Sequence, residues 1–165
     1  MRYLLILTIL ISFASSPAHN EARTIQDKKP AAKPNFSGTW KVNIEKSTFD
    51  PSPTPKSLTY KIEHAEPSLK LTSTRVDDAA EDSVVLKLTT DGQENTNVVR
   101  GNEVKSKITW EGGVLVIVSV STIEGANYEL KDQWNLSEDG KTITWLRHYS
   151  STQGEADAKY ILEKQ

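Results

Sequence analysis

The chain has 165 residues, with 20 Lys and Arg against 22 Asp and Glu, a formal net charge of −2 at pH 7 and no cysteine. So even a balance offers no clustered basic surface to draw phosphate backbones, and nucleic acid is not an expected partner. Without Cys there is no disulfide framework, no thiolate metal site and no cysteine to carry a lipid, so a core of apolar side chains must hold the fold.

Arg2, the apolar stretch Tyr3 to Phe13 and the small-residue end Ser16-Pro17-Ala18 have the charged, hydrophobic and cleavage parts of a secretory signal, expected over residues 1–18. An uncleaved anchor is the alternative, but a membrane span needs about 20 apolar residues. No later segment combines such length with freedom from charge, so no stable span is expected once the signal is removed. An exported chain without Cys suits a bacterial periplasm better than an animal extracellular fluid, where small domains are stapled, and the expected destination is periplasmic or extracellular. Residues 19–35, rich in Lys, Ala and Pro, read as a disordered linker before a folded domain at 36–165.

From Trp40 onward apolar residues recur at every second position, the period of a strand with one face inward. Trp40, Val42 and Ile44 open the first strand. Pro51, Pro53 and Pro55 then mark an extended connection or a lid over one barrel end. Strands follow over Leu58 to His64 and Leu69 to Val76, then an acidic loop from Asp77 to Asp82, then Val84, Leu86 and Leu88. Asp91-Gly92 is the sharpest hairpin signal, of type I′, with a weak return over Gln93 to Val99. Gly101-Asn102 turns into Val104, Ser106, Ile108 and Trp110, and Gly112-Gly113 into Val114 to Val120. That last run is apolar at almost every position, so it is covered on both faces or meets a partner. Tyr128, Leu130, Asp132, Trp134 and Leu136 share one parity, Asp139-Gly140 reverses the chain, and Ile143, Trp145, Arg147 and Tyr149 share the next. After a polar turn at Ser150 to Glu155, Tyr160 and Leu162 close the pattern. Short nearest-neighbour turns point to an all-β, antiparallel up-and-down meander of eight to ten strands closed into a barrel, with a two-layer sandwich as the alternative.

Asp132, between Leu130 and Trp134, and Arg147, between Trp145 and Tyr149, are charges on a face that should point inward. Asp132 lies seven residues before Asp139 and Arg147 seven after Gly140, so a hairpin about that turn sets them opposite each other. They read either as a structural ion pair or as an anchor for the polar head of a ligand. Trp110, Tyr128, Trp134 and Trp145 are wall candidates for a small hydrophobic or amphipathic molecule, and the same residues would serve to fill a ligand-free core. His19, His64 and His148 show no metal-ligand spacing, and no metal or cofactor is expected. No nucleophile lies beside a base in sequence; an Asp132–His64 acid-base pair requires the second and eighth strands to meet.

The start Phe36-Ser37-Gly38-Thr39-Trp40 resembles the first-strand Gly-x-Trp signature of lipocalins and the wider calycin group that includes fatty-acid-binding proteins and avidins. The resemblance covers roughly Phe36 to Gln165, extends to exported bacterial lipocalin-like proteins, and implies a barrel closed at one end by the Trp with a late Arg packed across it. Gly38 and Trp40 match the first element, and Arg147 is the best match to the second, which makes Trp40 its implied partner. The middle Thr-Asp…Tyr motif has no counterpart, Ser47 to Ser57 is too short for a helical lid, and Arg147 falls in the penultimate strand. The expected function is non-enzymatic binding of a small hydrophobic or amphipathic molecule. The alternative is a cell-envelope interaction module with a filled core, which would dock a protein partner on the outer parity of Val114 to Val120.

Overall fold

The structure is a computed structural model and describes residues 33–165; the expected signal, His19 and the linker up to residue 32 lie outside the described residues. Ten strands follow in order: β1 (Gly38–Val42), β2 (Ser57–Ala65), β3 (Ser68–Val76), β4 (Glu81–Thr89), β5 (Glu94–Val99), β6 (Asn102–Glu111), β7 (Val114–Ile123), β8 (Ala126–Leu136), β9 (Thr142–Ser151) and β10 (Gly154–Lys164). They form one antiparallel sheet in which every strand except β4 and β5 is laddered to two neighbours, and β1 joins β10. The result is an up-and-down barrel, nearly closed, with β4 and β5 at its two edges.

The period of two does what the pattern requires. Trp40, Tyr60, Ile62, Leu69, Leu71, Ile108, Leu115, Trp134, Trp145 and Leu162 are all buried, while Lys41, Lys61, Lys105 and Lys159 between inward positions are exposed. The core is not spread evenly along the barrel axis. It is dense where β1 begins and β10 ends, and there Phe36, just before β1, is wholly buried against Trp110 and Trp134. At the other end the inward residues Val84, Val104, Leu130, Tyr149 and Ala156 are only half-buried. One end is therefore a packed plug and the other an open mouth.

The segment between β1 and β2 crosses the mouth. Phe49 packs on Tyr160 with ring centroids 5.3 Å apart, Thr48 bridges to Lys159, Arg75 Nη2 donates to the Pro53 carbonyl at 2.7 Å, and the Lys56 amide donates to the Val76 carbonyl at 2.9 Å. The Pro-rich run is thus the partial lid over one barrel end.

The barrel's seam departs from expectation. Asp91-Gly92 does turn the chain, but β4 and β5 share no backbone ladder. Gly92 has φ 80° and Asp91 has no positive φ, so the turn is not type I′. Instead the Asp91 carboxylate accepts from the Thr89 hydroxyl at 2.7 Å and the Gln93 amide at 3.1 Å, and the Gly92 amide donates to the Ile108 carbonyl on β6. The turn is tied to β6, which swings β5 away from β4. Side chains then span the gap: the Asn97 amide accepts from Lys87 N–H at 2.9 Å and donates to Lys87 C=O at 3.0 Å, and Arg100 pairs with Asp82. Asn97 stands in for one missing rung of the ladder.

Two boundaries also differ. β4 starts at Glu81, inside the expected acidic loop, because Asp82 pairs in register with Arg75. The β9–β10 turn is narrower than Ser150 to Glu155, since both strands keep pairing out to Ser151 and Gly154.

Candidate functional site

The floor of the mouth is the expected Asp132–Arg147 pair, opposite each other in the β8–β9 register. Arg147 Nε donates to Asp132 Oδ1 at 2.6 Å and Nη2 to Oδ2 at 2.8 Å, a two-pronged pair whose side chains are 18% and 5% exposed. Trp145 Nε1 adds a third bond to Asp132 Oδ1 at 2.8 Å. The guanidinium lies 4.9 Å from the Trp145 ring centroid, 5.7 Å from Tyr149 and 5.8 Å from Tyr160, so an aromatic bed supports its charge from several sides. Burial works against the Arg147 charge, but the Asp132 carboxylate outweighs it and holds the pKa above the ordinary arginine value. Burial raises the pKa of the neighbouring Tyr60 phenol, which stays neutral.

Above this floor Tyr149 belongs both to the aromatic bed and to a depression of about 250 Å³ at the mouth, where Tyr128, Ser151, Ala156 and Pro51 also lie. On the adjoining β6–β7 wall, Ser106 Oγ and Ser119 Oγ sit 2.8 Å apart. A larger concavity, about 750 Å³, lies beside β6 to β9 and is lined chiefly by outward residues such as Glu103, Lys105, Val120 and Glu129. Charged side chains of both signs on a twisted sheet face make it a poor home for an apolar molecule, and the mouth is the better candidate.

The candidate residues therefore divide. Tyr128, Asp132, Trp145 and Arg147 meet at the mouth or its floor. Trp134 is wholly buried between Phe36 and Trp145, with ring centroids 5.7 and 4.6 Å away. Trp110 lies at the plugged end, stacked on Phe36 and His64, with Nε1 donating to Glu66 Oε1 at 3.2 Å. Trp110 fills the core at the end of β6 far from the mouth, and Trp134 lies just beneath the Asp132–Arg147 floor, opposite Trp145 in the β8–β9 register. Arg147 does not pack on Trp40: the cation over that ring is Lys164, with Nζ 5.2 Å from the centroid. Asp132 holds Arg147 in the β8–β9 ladder, whereas Trp40 faces Lys164 in the β1–β10 register. Gly38, at φ 145°, leaves room for the Lys164 stem; a Cβ there would lie 2.9 Å from Lys164 Cε.

His64 and Asp132 have separate partners. His64 Nδ1 accepts from the Phe36 amide at 3.3 Å, which leaves Nε2 as the donor to Glu66 Oε1 at 2.9 Å. Glu66 also accepts from Thr90 Oγ1 at 2.8 Å and from Lys33 Nζ at 2.8 Å. Partial burial opposes its charge, yet the bonds from Lys33, His64 and Thr90 prevail and pull its pKa down to about 2. This cluster pins residues 33–37 under the barrel. Among the described residues no three His, Asp or Glu side chains converge to hold a metal, and no helix is long and apolar enough to cross a membrane.

Periodicity does not single out Glu66, Thr90 or Lys33, and Lys164 is easily passed over at the chain's end. Lys164 has the inward parity of Tyr160 and Leu162, and that signal identifies it. Glu66 and Thr90 sit in turns, where periodicity carries no information.

On β7 the outer parity is uneven: Val116 is 3% exposed, between Thr109 and Gln133, while Val120 is 44% exposed. The apolar run is covered at its centre and open only toward the mouth.

No protein-family model matches the chain, and no curated protein matches it. Solved structures do. Zebrafish ileal bile acid-binding protein complexed with cholic acid is similar over 79% of this chain and 98% of its own, at 19% identity and a TM-score of 0.57. Secretory abundant heat soluble protein 4 from Ramazzottius varieornatus is similar over 83% and 99%, at 16% identity and 0.55. Human cRBP IV is similar over 80% and 99%, at 14% identity and 0.53. These likenesses show a shared fold, the lipocalin-type barrel.

Proposed function

We propose that the protein binds a small hydrophobic or amphipathic molecule in the mouth of its barrel and does not transform it. The observation that carries this reading is the asymmetry of the interior. One end is packed to exclusion around Phe36, Trp40 and Trp134, while inward apolar residues at the other, Val84, Val104, Leu130 and Ala156, remain partly open to water. A chain that needed only a core would gain by closing over them, since burial is worth about 25 cal/mol per Å². The depression of about 250 Å³ is just below the roughly 300–1,000 Å³ of ordinary ligand pockets and suits a small guest. The cholic acid bound by the zebrafish protein supports the reading by analogy of fold. The signal-like residues 1–18 support action outside the cytoplasm, in a periplasm or the extracellular space.

The test is a fluorescence titration with N-phenyl-1-naphthylamine, an uncharged apolar probe. Saturable one-to-one binding is expected, and Ala156→Trp, which fills the mouth, abolishes it. No saturable uptake, or uptake unchanged by Ala156→Trp, contradicts the proposal.

A further inference from the structure

Every inward-facing charge near the mouth is already neutralised within the chain. Asp132 takes both prongs of Arg147. Arg75 and Asp82, paired in the β3–β4 register, turn to other partners: Arg75 to Asp77 and the Pro53 carbonyl, Asp82 to Arg100. The depression offers a guest the uncharged side chains of Tyr128, Tyr149, Ser150 and Gln153. The Ser151 hydroxyl on the same lining already donates to the Gly154 carbonyl at 3.3 Å and accepts from the Gln153 amide at 3.1 Å, and the charged side chain there is the exposed carboxylate of Glu155.

A carboxylate entering head first gives up hydration and finds a pair with no net charge; one left at the rim faces Glu155. Both orientations penalise it, because a buried ion needs an unspent counter-charge. A hydroxyl or carbonyl loses less on leaving water and can be satisfied by neutral phenols and serines, which donate and accept. From this we infer that the polar end of the guest is uncharged, an alcohol or carbonyl compound rather than a carboxylic acid. The inference rests on the mouth being the binding site, as proposed above.

The experiment is displacement of bound N-phenyl-1-naphthylamine by 1-decanol and by decanoate at pH 7.5, which share a chain length and differ at the polar end. Decanol is expected to displace the probe at a concentration at least tenfold lower. Asp132→Asn keeps an acceptor for Trp145 Nε1 but releases the Arg147 charge, so decanoate gains about tenfold relative to decanol. This ratio of ratios cancels the different hydrophobicities of the two compounds. Asp132→Asn combined with Arg147→Gln restores a neutral floor and the wild-type ratio, and remains informative if the single variant does not fold. Decanoate matching or beating decanol on the wild type overturns the inference, as does a double variant that prefers decanoate or a folded Asp132→Asn with an unchanged ratio. If the probe binds but neither compound displaces it, the assignment of the polar end fails while the mouth remains a site. If the probe itself does not bind, the proposed function fails and the inference falls with it.

Discussion

Asp132 and Arg147 face each other across β8 and β9, joined by bonds of 2.6 and 2.8 Å, and the Trp145 indole donates to the same carboxylate at 2.8 Å. The carboxylate is the hub. Asp132→Ala leaves a mostly buried guanidinium and an indole N–H without an acceptor, and should destabilise the fold by about 3–5 kcal/mol. Asp132→Leu with Arg147→Met removes both charges, and its destabilisation should be well below the sum of the single changes, with a coupling of at least about 1 kcal/mol. Urea unfolding of the four proteins measures it; additive effects contradict the pairing.

Glu66 makes acid stability depend on the plugged end. Its folded pKa is about 2 against an ordinary 4.5, so the folded protein binds fewer protons there than the unfolded chain does. The stabilisation is fully present above about pH 4.5 and is lost as pH falls from there toward 2. Glu66→Gln does not titrate. The gap in thermal midpoint between wild type and Glu66→Gln should therefore narrow across that window and stay constant from pH 5 to 7; a gap that widens toward acid contradicts the assignment.

Gly38→Ala combines a backbone angle that L residues avoid with a Cβ pressed on Lys164. A cost of roughly 1–3 kcal/mol is expected. Lys164→Ala in the same chain relieves the contact but not the φ of 145°, so thermal unfolding should show partial recovery. Full recovery shows that the contact alone mattered, and a neutral Gly38→Ala contradicts both terms.

Much of this barrel is legible in the chain because alternation is a local signal. Trp40, Tyr60, Trp134 and Trp145 announce an inward face, and the symmetric spacing of Asp132 and Arg147 about Asp139-Gly140 announces their contact. What is not legible is long-range choice. Asp91-Gly92 specifies a reversal but not whether the strands it joins will ladder, and that outcome depends on the Gly92 bond to Ile108 and on Asn97. The partner of Trp40 is equally hidden: Arg147 and Lys164 both carry a cation on inward parity, and only the β1–β10 register distinguishes them.

The seam rests on Asn97. Asn97→Ala strips Lys87 of the partner for its N–H and C=O, and the loss should be about 1 kcal/mol because water can replace the amide. Native-state hydrogen exchange is the sharper measure. Exchange at the Lys87 amide should accelerate at least fivefold while the Trp134 amide in β8 is unchanged; equal acceleration at both means global destabilisation and contradicts a local latch.

The mouth and the outer sheet face are the two surfaces on which the proposed guest could sit, and the mouth is the proposed one. Methyl groups separate the two: Val104, Leu130 and Ala156 point inward, Val120 and Leu146 outward. The most direct measurement is therefore a set of intermolecular nuclear Overhauser effects between bound N-phenyl-1-naphthylamine and assigned methyls. Contacts to Leu130 and Ala156 with none to Val120 or Leu146 are the expected result. Contacts confined to Val120 or Leu146 would place binding on the outer face and contradict the account.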